Sequence, residues 1–187
     1  MKNDTSYQIT SLTETELLAL ISSVSVVRDE KLFRILIKIY LKNNMDAKVL
    51  YEAILQTYLF AGFPSALISQ KIFSEYVPTQ KTKSDLRTIK KIKYDGEQNC
   101  KKIYGKMFEK LISNVSTFSP ERSEWLITEG YGKVLGRKII PLKRRELLIV
   151  SILTSLKYDE QLFSHIRGAL NLGINLIQFT KSFRIWN

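Results

Sequence analysis

"ELLALISSVSVVRDEKLF" (residues 16–33) and "ELLIVSILTSLKYDEQLF" (residues 146–163) align without a gap at an offset of 130 residues. The letters ELL at the start, DE towards the end and LF at the close match in both stretches. Apolar residues recur in each at helical intervals. The alignment predicts two copies of a three-helix unit, one over about 12–76 and one over 142–187, joined by a connecting segment, 77–141. The alternative is a chance similarity between amphipathic helices.

Helix start and stop signals surround these stretches and predict an all-α fold in a single domain, 1–187. Thr13 and Glu16 have the spacing of a capping box, and Asp29 is placed to cap the next helix. The "AGFP" sequence predicts the end of a helix over 46–60, and its Pro64 can begin the following helix. Further helices are predicted over 96–115, from Ser119 and Pro120 through 132, and over 175–186. No pair of strands is evident.

Composition and charge exclude several classes of protein. The chain has 187 residues, a net charge of +11 and one cysteine, Cys100, so it has neither an internal disulfide nor a CxxC pair. A reducing, cytoplasmic location fits this composition. The longest apolar stretch, 53–68, contains Gly62 and Pro64 and is too short for a membrane span. The lysine-rich stretches carry no nucleic-acid motif, so we expect neither a nucleic acid nor a membrane as partner.

Glu52 is the first candidate site residue, because it is the only charged residue between positions 49 and 70. Gln56 follows one helical turn later on the same face. A buried carboxylate is costly unless it has a partner, and such groups are frequent at functional sites. The alternative is that Glu52 is a structural partner of an arginine.

His165 is the only histidine of the chain and the second candidate. Leu162, Ala169 and Leu172 share its helical face, so the ring is expected to point inward. One histidine and one cysteine argue against a metal site built from these residues. His165 is either an acid–base residue or a hydrogen-bonded histidine of the core.

The segment "EGYGKVLGRKIIPLKRREL", residues 129–147, concentrates six lysines and arginines around turn glycines. Clustered cations of this kind suit a small ligand that carries a carboxylate. The alternative is a solvated basic loop in which Arg145 contacts nearby structure.

Three stretches together resemble the carboxymuconolactone decarboxylase family, which includes the alkyl hydroperoxidase D proteins. They are "YEAILQTYLFAGFPSAL" (51–67), "EGYGKVLGRKIIPLKRRELLIVSIL" (129–153) and "QLFSHIRGALNLGI" (161–174). The resemblance extends over most of the chain from about Glu16 and is weakest around 77–95. It implies an all-helical, alkyl hydroperoxidase D-like fold that assembles into trimers or hexamers.

The decarboxylase branch of the family implies a cofactor-free lyase acting on a small carboxylated lactone or a related acid. Imidazolium would deliver a proton to carbon and an arginine would hold a carboxylate. The hydroperoxidase branch implies peroxide reduction by a CxxC pair, which this chain lacks. A non-catalytic helical oligomer of the same fold is the other alternative. The resemblance implies catalytic roles for His165 and Glu52 and substrate-binding roles for Arg137, Gln56, Tyr131 and Arg145, without a metal.

Overall fold

The computed structural model describes residues 12–78, 87–175 and 177 of the chain. Within these residues every regular element is helical, which confirms the all-α prediction. The elements in chain order are α1 (Glu14–Val27), α2 (Glu30–Lys42), α3 (Ala47–Leu55), α4 (Tyr58–Ser74), α5 (Ile89–Tyr104), a 3₁₀ turn (Gly105–Met107), α6 (Phe108–Phe118), α7 (Pro120–Trp125), a π-helical segment (Leu126–Val134), α8 (Leu142–Leu156) and α9 (Asp159–Asn171).

Side-chain caps begin the first helices where the sequence predicts them. The Thr13 hydroxyl accepts a hydrogen bond from the backbone N–H of Glu16, and the Glu16 carboxylate accepts one in return from the Thr13 backbone. Asp29 caps α2 by accepting from the N–H of Leu32 at 2.9 Å. These bonds satisfy N–H groups that lack partners inside the helix, and they fix the starts of α1 and α2.

The middle of the chain differs from the predicted helix boundaries in three places. The helix predicted over 46–60 ends at Leu55, and in the turn that follows, the backbone N–H of Thr57 donates to the carbonyl of Ile54 at 3.1 Å. The break predicted at "AGFP" lies inside α4, where Gly62 adopts φ +76° and kinks the helix. The helix predicted over 96–115 breaks at Gly105, whose φ is +52°.

The segment from Ser119 onward begins as predicted, with Pro120 in the first turn of α7. The helix does not continue through residue 132 in α-helical form. Its second half widens into a π-helical segment, and the N–H of Leu135 donates to the carbonyl of Gly130 at 3.0 Å. This segment is longer than the single π turns that occur within most α-helices. The helix predicted over 175–186 lies almost entirely outside the described residues.

Two apolar clusters form the core, and α8 contributes to both. The first cluster is built mainly from α1 to α4 and includes Leu148 of α8. The second cluster is built mainly from α5, the π-helical segment and α8, which supplies Ile149 and Leu153. Because neighbouring residues of α8 face different clusters, this helix fixes the position of one cluster relative to the other. No helix in the described part of the chain has the length and apolar character that a membrane crossing requires.

Helices α1 and α8 pack side by side in the same direction. Arg144 pairs with Glu14 at 2.9 Å, across a separation of 130 residues. Ser151 bonds to the hydroxyl of Ser23 and to the carbonyl of Ala19, across 128 and 132 residues. The helix pairing is therefore in register with the sequence offset of 130 residues. The equivalence of two complete three-helix units stays a prediction.

Helix α5 crosses the π-helical segment with the two backbones in direct contact. A Cβ built on Gly96 would lie 2.1 Å from the carbonyl oxygen of Ile127, and one built on Gly132 would lie 2.3 Å from that of Ile92. Gly130 of the same segment has open space around its Cα. The crossing therefore requires the absence of a side chain at Gly96 and Gly132.

We predict that Gly96→Ala destabilises the fold by about 1–3 kcal/mol or more, the usual range for an overpacked core. The matched control is Gly130→Ala, which meets no neighbour and replaces glycine by a better helix former. The free energy of unfolding, from urea denaturation followed by circular dichroism, separates the two variants. Equal stability of both would contradict the described crossing.

Candidate functional site

Glu52 on α3 is fully buried and lies between two guanidinium groups. Arg145 Nη2 is 2.8 Å from Glu52 Oε2, and Arg137 Nη2 is 2.7 Å from Glu52 Oε1. Arg145 also donates to Gln56 Oε1 at 3.0 Å and to the carbonyl of Arg137 at 3.2 Å. Four residues predicted for the site, Glu52, Gln56, Arg137 and Arg145, thus form one cluster, which we call the ion cluster.

The ion cluster is an arrangement of high electrostatic energy. Burial lowers the pKa of the Arg145 guanidinium, and the nearby charge of Arg137 lowers it further, whereas the hydrogen bond and charge of Glu52 oppose this shift. Among the described residues, Arg145 Nε and Gln56 Nε2 have no hydrogen-bond partner. The contacts favour the interpretation of Glu52 as a structural partner of arginines, which fastens α3 to α8.

His165 on α9 is 7% exposed, and its ring contacts a carboxylate that the sequence analysis did not select. His165 Nδ1 lies 2.9 Å from Oε2 of Glu146, which is fully buried on α8. The rings of Phe60 and Tyr104 meet the imidazole edge-on at centroid distances of 6.0 Å and 6.3 Å. We call Glu146 and His165 the dyad; the described contacts place Glu52 with the arginines instead.

Two tyrosines and the only cysteine of the chain surround the dyad. The Tyr131 hydroxyl donates to that of Tyr104 at 2.9 Å. Burial raises the pKa of both phenols, and the charge of Glu146 raises them further. Burial, with a contribution from Glu146, also raises the pKa of the Cys100 thiol to about 12. At neutral pH the dyad is therefore surrounded by uncharged hydroxyl and thiol groups.

Close packing around the dyad depends on Gly168, one helical turn after His165. A Cβ at this position would lie 2.4 Å from a methyl carbon of Ile103 and 3.1 Å from Glu146 Oε2. The other oxygen of Glu146, Oε1, is buried and has no partner among the described residues. A buried carboxylate oxygen without a donor is unusual in a folded protein, so the dyad is a candidate functional site.

Glu146 was not predicted because it follows a run of basic residues, Lys143 to Arg145, and resembles the end of a solvated basic segment. Its counterpart in the repeat, Glu16, caps α1. The available signal was the apolar sequence that directly follows Glu146, "LLIVSIL", in a helix that is buried over most of its length. Among residues 12–78 and 87–175, no group of His, Cys, Asp and Glu is arranged to hold a metal ion.

Comparison with known proteins finds a distant similarity. The chain is similar to Peroxisomal protein 2 of Schizosaccharomyces pombe, with 25% identity over 132 residues that cover 66% of this chain and 60% of that protein. The chain therefore spans less than two thirds of the length of this relative. No family model matches the chain, and no solved structure matches it.

We predict that Glu52→Gln destabilises the fold by about 3–5 kcal/mol, since it leaves two guanidiniums beside each other without their carboxylate. The control is Glu75→Gln, which removes the partner of the partly exposed Arg34 at the surface and is expected to change stability little. Urea denaturation measures both variants. A loss for Glu52→Gln no larger than that of the control would contradict the structural role.

We predict that the Cys100 thiol is unreactive towards a disulfide reagent in the folded protein at mildly alkaline pH and reacts fully in denaturant. An unfolded chain loses this proton near pH 8.5, at about the pKa of a free thiol. The folded chain keeps it until about pH 12, so the thiol stabilises the fold below pH 8.5 and this contribution is lost as the pH rises. Rapid labelling of the native protein would contradict the buried position.

Proposed function

We propose that the chain is a carboxymuconolactone decarboxylase-like, cofactor-free lyase acting on a small carboxylated lactone or related acid. His165 is its acid–base residue and Glu146 is the partner of that residue. The observation that carries the proposal is the buried hydrogen bond of 2.9 Å between His165 Nδ1 and Glu146 Oε2. The resemblance of the segments around both residues to the decarboxylase branch supplies the reaction class.

The dyad has the features that proton transfer by histidine requires. A carboxylate at Nδ1 fixes the orientation of the ring and favours the tautomer with the proton on Nδ1. The side chain keeps 9% of its surface exposed, and its hydrogen bond to Glu146 is made through Nδ1. Nε2 is therefore the atom that gives and takes the proton in the proposed reaction.

The reaction step follows from these positions. The bond between the lactone carbon and its carboxylate breaks, CO2 leaves, and the electron pair delocalises into the lactone carbonyl as an enolate. The Tyr104 hydroxyl, which accepts a hydrogen bond from Tyr131, is a neutral donor for the enolate oxygen. Nε2 of the imidazolium then protonates the carbon, and water restores the proton to His165.

The four residues with predicted substrate-binding roles lie in two different places. Tyr131 lies at the dyad through its bond to Tyr104, whereas Arg137, Gln56 and Arg145 lie in the ion cluster. Arg145 precedes Glu146 on α8, so the clamp of Arg145 on Glu52 sets the position of Glu146. The ion cluster therefore positions the dyad without contacting the substrate.

The assembly and location of the protein are also proposals. The exposed apolar side chains of α4, with Phe63 at 65% and Leu67 at 62% exposure, suit a contact between copies in a trimer or hexamer. A reducing compartment, the cytoplasm, fits the single buried thiol. The name of the similar protein, Peroxisomal protein 2, adds the peroxisome as the alternative.

The same exposed apolar face favours one competing function, a non-catalytic helical oligomer that keeps the fold. Peroxide reduction has less support, because the Cys100 thiol is fully buried and its pKa is raised to about 12. A reactive thiolate requires a lowered pKa and access to the reagent.

The test is turnover of carboxylated γ-lactones, followed by CO2 release, in the wild type and in His165→Gln and Glu146→Gln. We expect both substitutions to lower kcat about 100-fold or more, the usual contribution of a positioned acid–base group. KM should change little in Glu146→Gln, since Glu146 acts through His165.

Ser164→Ala and Glu160→Gln are the matched controls, because both residues lie on α9 beside the dyad and outside its contacts. Thermal unfolding of every variant separates loss of chemistry from loss of fold. Turnover of His165→Gln within a few-fold of the wild type would refute the dyad. Absence of turnover in the wild type with a full set of such lactones would favour the non-catalytic oligomer.

A further inference from the structure

A pocket of about 540 Å³ opens at the surface between α5 and the chain that leads into α8. Asn99 and Lys102 line it from α5, and Arg137, Lys138 and Pro141 line it from the other side. Neither residue of the dyad lies in its wall, so it is a different site from the one described above. Its volume falls in the range of pockets that bind small molecules.

The charge of the pocket wall is positive. Lys102, Arg137 and Lys138 supply three cations. The acid in the wall, Asp95, is already paired with Lys91 at 2.6 Å. The pocket therefore presents cations that no acid of its own wall neutralises.

The ion cluster lies directly behind the pocket. Glu52 is shared by the guanidiniums of Arg137 and Arg145. Arg145 is fully buried, whereas the Arg137 side chain is 27% exposed and lines the pocket. Arg137 therefore connects the ion cluster to the pocket wall.

The start of α8 adds backbone donors at the same place. Pro141 precedes the helix without a side-chain cap, Leu142 is its first residue, and both line the pocket. The first N–H groups of a helix lack acceptors inside it, and the helix dipole favours an anion there. The first turn of α8 contains no acidic residue that would meet this demand.

Part of the wall is apolar. Leu135, Leu142 and the ring of Tyr94, which is 57% exposed, lie beside the cations. A bare inorganic ion would leave these surfaces in contact with water, whereas an anion with an aromatic or alicyclic body would cover them. The cations and the apolar surface together indicate an anionic ligand that carries an apolar body.

We propose that this pocket binds a small organic anion, a carboxylate or a phosphate ester attached to an apolar body, at a site separate from the dyad. Lys102, Lys138 and the exposed side of Arg137 bind the anionic group. Leu135, Leu142 and Tyr94 contact the body. The proposal rests on the pocket alone and holds whether or not the chain is a lyase.

The experiment titrates the ¹⁵N-labelled full-length protein with benzoate, phenyl phosphate, inorganic phosphate and the neutral benzamide. We expect benzoate or phenyl phosphate to shift the amides of Gly136 and Leu142 saturably, with dissociation constants at least tenfold lower than those of benzamide and inorganic phosphate. Preference for benzoate identifies a carboxylate ligand, and preference for phenyl phosphate identifies a phosphate ester.

The variant Lys102→Gln/Lys138→Gln is expected to weaken binding at least tenfold at low salt. The control Lys106→Gln/Lys110→Gln removes the same charge at exposed lysines outside the pocket and should leave binding unchanged. If both double variants bind the anion equally weakly, the loss of binding results from the lower net charge of the protein, and the proposed site is wrong. Absence of saturable shifts with either organic anion, or inorganic phosphate binding as tightly as phenyl phosphate, would overturn it as well.

Discussion

The buried carboxylate of Glu52 is the constraint on which the arrangement of the helices depends. A charge with no exposure to water must be met by opposite charge, and here Arg137 and Arg145 approach it from two different segments. The requirement fixes α3, in the first apolar cluster, against α8 and against the chain before it. Because α8 also contributes to the second cluster, one ion cluster sets the geometry of both halves of the core.

The two buried glutamates of the described chain serve opposite purposes. Both oxygens of Glu52 are engaged by guanidiniums, so its bonding is complete and it holds structure together. Glu146 has one oxygen on His165 and one without a partner among the described residues. A carboxylate that is buried and incompletely bonded weakens the fold, and in the proposed function it orients His165 for proton transfer.

Local features of the fold followed from the sequence, and contacts between distant segments did not. The caps at Thr13 and Asp29 and the interruption at Gly62 depend on neighbours within a few residues, so the sequence analysis located them. The widened turn before Leu135 depends on the close crossing of α5, which no local pattern reveals.

In the candidate site, too, local features were predictable from the sequence and contacts between distant segments were not. Burial of Glu52 and His165 was predictable, because each lies on an apolar helical face. Their partners were not, since a charged residue in an apolar helix shows that a partner is needed without showing which one it is. The family resemblance implied catalytic roles for Glu52 and His165 together. The structure instead joins His165 to Glu146, which a basic run concealed.

The contact between Gly96 and Gly132 has a mechanical consequence. Where two helices meet backbone to backbone, no side chain between them can change rotamer to absorb a displacement, so the two segments move as one stiff body. That body carries Asn99 and Lys102 on one side and Tyr104 and Tyr131 on another. A displacement at Asn99 and Lys102 is therefore expected to reach Tyr104 and Tyr131 as a movement of the whole body.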